Sequence, residues 1–245
     1  MTTIENIQEL NDHLQAFPKA EDIFTKDQQW LRKHFLPLMS IDLAELNPDW
    51  AGQKVYMLCP FEANIGYMGG NTTEYHNEYT APNWVTFKLT DDNKFEFLGN
   101  EGFFERTKYH NWDFNSEEEK EFQEMQKSYE KSKANFEKYG TLINIFALEY
   151  DGKIEKANYL SRLGGEYSFS NWATSISSGE YPKAFAMKLD REEGLPDDGI
   201  SITYKGNPFY FIAETASYDW YDGGIDGIIM FYEPVSRIVL FTFDY

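Results

Sequence analysis

With 41 Asp and Glu against 22 Lys and Arg, the 245-residue chain carries a formal net charge of −19, which argues against direct binding of nucleic-acid phosphates or of an anionic membrane surface. The hydrophobic fraction of 42% and the aromatic fraction of 18% supply enough apolar surface for a core and exclude a disordered chain despite the charge. The lone cysteine, Cys59, excludes an intramolecular disulfide and any multi-cysteine zinc site.

The first fifty residues read as helical. Ile4, Ile7, Leu10, Leu14 and Phe17 recur at spacings of three and four and form one stripe that Pro18 ends. A second helix is expected from about Ala20 to Met39, with Ile23, Phe24, Trp30, Leu31, Phe35 and Leu38 apolar. The N-terminal stretch lacks the basic start and apolar run of a signal peptide, and no segment approaches the ~18–20 apolar residues of a membrane span. A soluble, cytoplasmic protein is the expectation.

From Lys54 the pattern becomes strand-like. The apolar run Val55 to Cys59 makes Cys59 a small core residue. Trp84 to Leu89 and Lys94 to Leu98 flank the turn residues Asp91-Asp92-Asn93 and predict a hairpin. Between the two regions, Pro60 to Pro82 is a long loop holding Gly66, Gly69, Gly70, Asn71 and Asn77 together with Tyr67, Tyr75 and Tyr79. Loops of that length in a compact domain are usually functional or mobile.

Ser116-Glu117-Glu118-Glu119 is a capping box. The helix it opens carries Phe122, Met125, Tyr129, Phe136 and Tyr139 on one face and ends at Gly140. Its other face mixes seven acids with five bases, the pattern of a solvated surface or of a partner-binding helix. Thr141 to Tyr150 fits a buried strand or a helix. Ala184–Leu189, Ile200–Tyr204, Phe209–Ala213, Ile225–Tyr232 and Ile238–Phe243 read as strands, the last four joined by short turns as an antiparallel meander. The fold class expected is α+β: N-terminal helices and one long amphipathic helix packed on a mainly antiparallel, meander-type sheet. One domain spans 1–245, with residues 1–50 helical and 51–245 a β-rich body carrying helix 116–139.

The four histidines, His13, His34, His76 and His110, fall in no zinc-binding pattern. On a strand, Glu74, His76 and Glu78 would share a face, and His110 with Asp113 offers a second pair of ligand types. Asp219-Trp220-Tyr221-Asp222-Gly223-Gly224-Ile225-Asp226 places carboxylates around glycines, which suits a tight turn or a calcium loop, although the acids miss the alternate positions of the EF-hand. No Gly-x-Ser-x-Gly elbow and no phosphate-loop spacing occurs. No cofactor, metal or catalytic residue is therefore assigned, and a non-enzymatic role is the expectation.

The charge is uneven. Residues 197–245 hold eight acids against two bases, and residues 61–115 carry −5, and both segments are dense in aromatic rings. Tyr and Trp bordered by carboxylates suit an interface that selects a basic partner. The expected partner-binding residues are Tyr218, Asp219, Trp220, Tyr221, Asp222 and Asp226, with Tyr67, Tyr75 and Tyr79. The alternative for the loop group is a loop that packs its own rings against the sheet.

The segment Pro208-Phe209-Tyr210-Phe211-Ile212-Ala213, then Trp220, then Asp226-Gly227-Ile228-Ile229-Met230-Phe231-Tyr232-Glu233-Pro234, ending Arg237 to Tyr245, resembles the closing strands of YwqG-like bacterial proteins. Leu163-Gly164-Gly165 is similar to a glycine pair found earlier in such domains. The resemblance covers residues 160–245 and implies a bacterial cytoplasmic α+β domain, of a kind sometimes found beside toxins, with no catalytic residues to carry over. Three expectations follow. The first is an acidic immunity protein that neutralises a basic toxin. The second is a carbohydrate or small-ligand module with Tyr67, Tyr75, Tyr79, Trp112 and Trp220 as stacking rings. The third is a metal-dependent enzyme using His76 and His110.

Overall fold

The structure, a computed structural model, describes residues 2–61, 68–108, 116–190 and 195–245. It is an α+β protein in which antiparallel sheet dominates. Strands β1 (Ile4–Ile7), β2 (Leu14–Ala16), β3 (Phe35–Asp42) and β4 (Lys54–Pro60) come first, with the one-turn helix α1 (Ala20–Ile23) between β2 and β3. The hairpin β5 (Trp84–Leu89) and β6 (Phe95–Phe97) follows, then helices α2 (Glu105–Lys108), α3 (Ser116–Tyr139) and α4 (Ile145–Asp151). The remainder is β7 (Leu160–Leu163), α5 (Thr174–Ser178), β8 (Ala186–Leu189), β9 (Ile200–Tyr204), β10 (Asn207–Pro208), β11 (Tyr210–Thr215), β12 (Gly227–Glu233) and β13 (Ile238–Asp244).

A seven-stranded sheet in the order β1-β7-β11-β12-β13-β5-β6 forms the centre. Its strands alternate between two cores: Ile228, Met230 and Tyr232 of β12 join one apolar cluster, while Ile229 and Phe231 join the other. Sheet β2-β3-β4 and helix α3 contribute to the first cluster, and sheet β10-β9-β8 with α5 to the second. Because both faces are covered, β12 and β13 read as unbroken apolar runs rather than alternating ones.

The first expected helix in residues 1–50 is corrected to strands, and the second survives as the turn Ala20–Ile23 and the 3₁₀ segment Lys26–Lys33 before the chain becomes strand at Phe35. Ile4–Ile7 pairs with Leu160–Leu163, and Leu14–Ala16 pairs with Met39–Ile41. The stripe that suggested one helix is interrupted by Asn6 and Phe17, whose φ angles of 52° lie in the left-handed region where no right-handed helix continues. Phe35–Asp42, assigned in part to the second helix, is a strand buried at all but its last position. An apolar run of that kind carries no period that separates strand from helix. Pro37 is accommodated by a register shift between Pro37 and Met39 in the β3–β4 ladder, which absorbs the N–H that proline lacks.

The hairpin is as expected, with Phe87 opposite Phe97 and Leu89 opposite Phe95. Helix 116–139 is present, and Phe122, Met125, Tyr129 and Phe136 turn inward. Its stop, Gly140, has φ 71° and donates its N–H to the Phe136 carbonyl. The ambiguous Thr141–Tyr150 stretch resolves as helix over Ile145–Asp151, capped by the Asn144 side chain, which accepts from the Ala147 N–H. The meander holds for β11-β12-β13. The strand at Ile200–Tyr204 leaves it and pairs with Ala186–Leu189 in the separate small sheet.

Candidate functional site

The connection from β11 to β12, residues 216–226, was the expected partner loop, and it folds back on the sheet. Ser217 closes it: its N–H and hydroxyl both donate to the Ile225 carbonyl, at 2.9 and 3.1 Å, while its oxygen accepts the Ile225 N–H at 2.8 Å. Trp220 and Tyr221 are thereby fully buried, which corrects their placement at an interface. The Trp220 ring meets Phe17 edge-on at 5.2 Å and Tyr159 at 5.9 Å, and its Nε1 donates to Thr215 Oγ1 at 3.0 Å. The Tyr221 hydroxyl lies 3.2 Å from Cys59 Sγ. Gly223 is required here, because a Cβ at that position would stand 2.7 Å from the Tyr221 ring.

Other members of the expected set stay outside. Tyr218 is 45% exposed, and Asp222 and Asp226 are exposed. Asp219 is half-buried, accepts from the Asn158 N–H at 3.4 Å, and burial pushes its carboxyl up to about 6. The Asp222 N–H donates to Ser128 Oγ at 2.8 Å, tying the loop to α3. At that junction lies a groove of about 310 Å³ lined by Glu121, Glu124, Met125, Asp222, Gly223 and Gly224. Three carboxylates around a methionine floor offer charge and apolar contact to one cationic side chain. Glu121 and Glu124 were legible only as part of a solvated helix face, since nothing in sequence brings that face to the loop.

The second expected group is elsewhere. Tyr67 lies outside the described residues, as do His110 and Trp112. Tyr75 is 40% exposed and packs on Gly102, where a Cβ would come within 2.4 Å of its ring. Tyr79 is half-buried and its hydroxyl lies 3.1 Å from that of Tyr204. Tyr79 packs against the core cluster beneath β8–β10 and Trp220 belongs to the other cluster, so the two rings do not face one cleft. A cavity of about 400 Å³ near Tyr75 is lined instead by small polar groups, among them Thr73, Asn83, Thr174, Ser175 and Ser178, beside Trp172.

The histidine expectations separate in the same way. Glu74 belongs to a 3₁₀ turn, Thr73–Tyr75, so Glu74, His76 and Glu78 do not alternate along a strand. His76 Nε2 is 2.8 Å from the Gly69 carbonyl, and burial holds its imidazole below the ordinary value. His34 is buried and stacks on Phe104 at 4.2 Å. Among the described residues no three His, Cys, Asp or Glu side chains are grouped to hold a metal ion, and no helix is long and apolar enough to cross a membrane. Cys59 is in the core as expected, its thiol pushed up to about 12 by burial.

Fold and site together define an α+β protein with an antiparallel sheet covered on both faces and an acidic groove at the edge of its long helix. Comparison of the chain with family models, with curated proteins and with solved structures returned no match.

Proposed function

We propose that the chain is an acidic, non-enzymatic protein that binds a basic protein partner, and that the partner is a bacterial toxin it neutralises. The observation that carries this reading is the groove at Glu121, Glu124, Met125 and Asp222. A lysine or arginine of the partner would lie with its stem on Met125 and its charge among the three carboxylates. The net charge of −19 steers a cationic partner toward the molecule and makes association salt-sensitive. The toxin class comes from the YwqG-like resemblance, which remains an inference from residues 160–245.

The test is coexpression with the basic product of the adjacent gene. Protection of the host, and binding that weakens steeply with salt, are expected. The paired substitution Glu124→Lys with Asp222→Lys abolishes both while leaving the circular dichroism unchanged. Protection that survives this charge reversal, or absence of binding at low salt, refutes the reading.

A further inference from the structure

On the opposite side of the central sheet from α3, a cleft of about 800 Å³ opens beside the small sheet β8–β10. Three turns wall it: Thr90–Asp91 after β5, Tyr204–Lys205 after β9, and Val235–Arg237 after β12. Three cations, Lys88, Lys205 and Arg237, line this one space against two carboxylates, Asp91 and Glu96, in a chain whose acids outnumber its bases 41 to 22. The local charge balance is therefore opposite to that of the molecule.

Arg237 and Lys205 are held in place, and Lys88 is open to solvent. Arg237 Nη2 donates to the Thr90 carbonyl at 2.6 Å and Nη1 lies 3.2 Å from Asp91 Oδ1. Its turn is clamped by the buried Glu233 carboxylate, which accepts the N–H groups of Val235 and Ser236 at 2.7 and 2.9 Å. Lys205 Nζ sits 4.9 Å over the Tyr204 ring. Lys88 stands on exposed strand surface between Ile238 and Glu96, and among the described residues no carboxylate comes within ion-pair distance of it.

The backbone fixes where two of these cations stand. Among the described residues eight non-glycines have positive φ; five are Asn or Asp, and the others are Phe17, Lys205 (51°) and Arg237 (56°). Glycine or asparagine relieves such a position, whereas a longer side chain is less favourable there. Two of the three are cations at the mouth of one cleft, fixed there by the tight turns between Tyr204 and Asn207 and between Glu233 and Ile238.

We propose that this cleft binds a small organic anion with a carboxylate or phosphate head and an apolar body. Lys88, Lys205 and Arg237 hold the head through charge-assisted hydrogen bonds. Leu98 and Ile238 receive the body. The hydroxyl pair of Tyr79 and Tyr204 adds a neutral donor, because one hydroxyl spends its hydrogen on the other and leaves a second hydrogen free; that hydrogen bond raises Tyr79 to about 12, so it stays protonated. Glu96, opposite Lys88 in the β5–β6 register, sets a limit on affinity.

The test is titration of the full chain with benzoate, phenyl phosphate, inorganic phosphate and benzyl alcohol, read by calorimetry and by amide shifts in the NMR spectrum. Saturable binding of benzoate or phenyl phosphate is expected, with shifts at Gly206 and Ser236, and the stronger of the two identifies the head. Inorganic phosphate and benzyl alcohol bind at least about tenfold more weakly, since each lacks one half of the recognition. Lys88→Gln weakens the organic anion about tenfold, the loss of one charge-assisted contact, and Glu96→Gln tightens it a few-fold. Lys205→Asn separates fold from function, because it relaxes the left-handed position: thermal stability is kept or raised while affinity falls. No saturation by either organic anion, shifts confined to other surfaces, or binding indifferent to Lys88→Gln overturns the proposal.

Discussion

Replacing Trp220 by alanine distinguishes the two roles this ring could have. An interface anchor can be truncated with little effect on folding, whereas a core ring cannot. Trp220 has no exposed surface, touches Phe17 and Tyr159 edge-on, and gives its N–H to Thr215, itself fully buried. Loss of a buried Trp to Ala costs about 3–5 kcal/mol in transfer and cavity terms, and the abandoned Thr215 hydroxyl adds about 1 kcal/mol. The sum, about 4–6 kcal/mol, is a large part of the ~5–15 kcal/mol that stabilises a typical folded protein. Trp220→Phe keeps a ring but forfeits the hydrogen bond and part of the packing, and costs about 1–2 kcal/mol. Urea unfolding followed by far-ultraviolet circular dichroism measures both, and with a slope near ~3 kcal/mol per molar urea the alanine variant shifts its midpoint by more than ~1 M. An alanine variant within about 1 kcal/mol of the parent refutes the core assignment and restores Trp220 to the surface.

Two further outcomes follow from the same loop and its floor. Folding raises the Asp219 carboxyl to about 6 from 3.8, so the folded state holds a proton that the unfolded state has released; the stabilisation is complete below about pH 4 and is lost as pH rises through about 6. The full linkage value of about 3 kcal/mol, at ~1.36 kcal/mol per pH unit, falls to about 1–2 kcal/mol once solvent screening of this half-buried group is counted. Asp219→Asn is therefore expected to stabilise the protein by that amount at pH 7 and to be neutral near pH 4, as measured by unfolding at both; equal effects at the two pH values count against it. The Cys59 thiol, buried and raised to about 12, is expected to react with a disulfide reagent only as fast as the protein opens, so that labelling tracks denaturant; rapid labelling of the native protein at pH 8 contradicts this.

Local chemistry made several elements legible. The Asp91-Asp92-Asn93 turn between two apolar segments announced the β5–β6 hairpin, and the apolar face from Phe122 to Phe136 with Gly140 behind it announced α3. The burial of Cys59 followed from the run around it. Each of these signals lies within one element and depends on a period or a turn residue. The N-terminal segments lacked that property: β1 is defined by its pairing with β7, more than 150 residues away in sequence, and β3 is an apolar run whose identity its neighbours decide. A stripe at spacings of three and four is no match for a ladder that a distant strand completes.

The same division runs through the candidate sites. From the sequence alone came the acidity of the chain, the placement of its rings and carboxylates in residues 216–226, and the α+β class. The tertiary structure decided which side of that loop faces water. Trp220 and Tyr221 turn inward because Phe17, Tyr159 and Cys59 assemble an apolar bed for them, while Tyr218 and Asp222 are left outside. It also brought Glu121 and Glu124 to Asp222, and Lys88 to Lys205 and Arg237, from segments roughly a hundred or more residues apart. A charge count adds over the chain whatever its fold, but a site is a set of distances, and those exist only once the strands have paired.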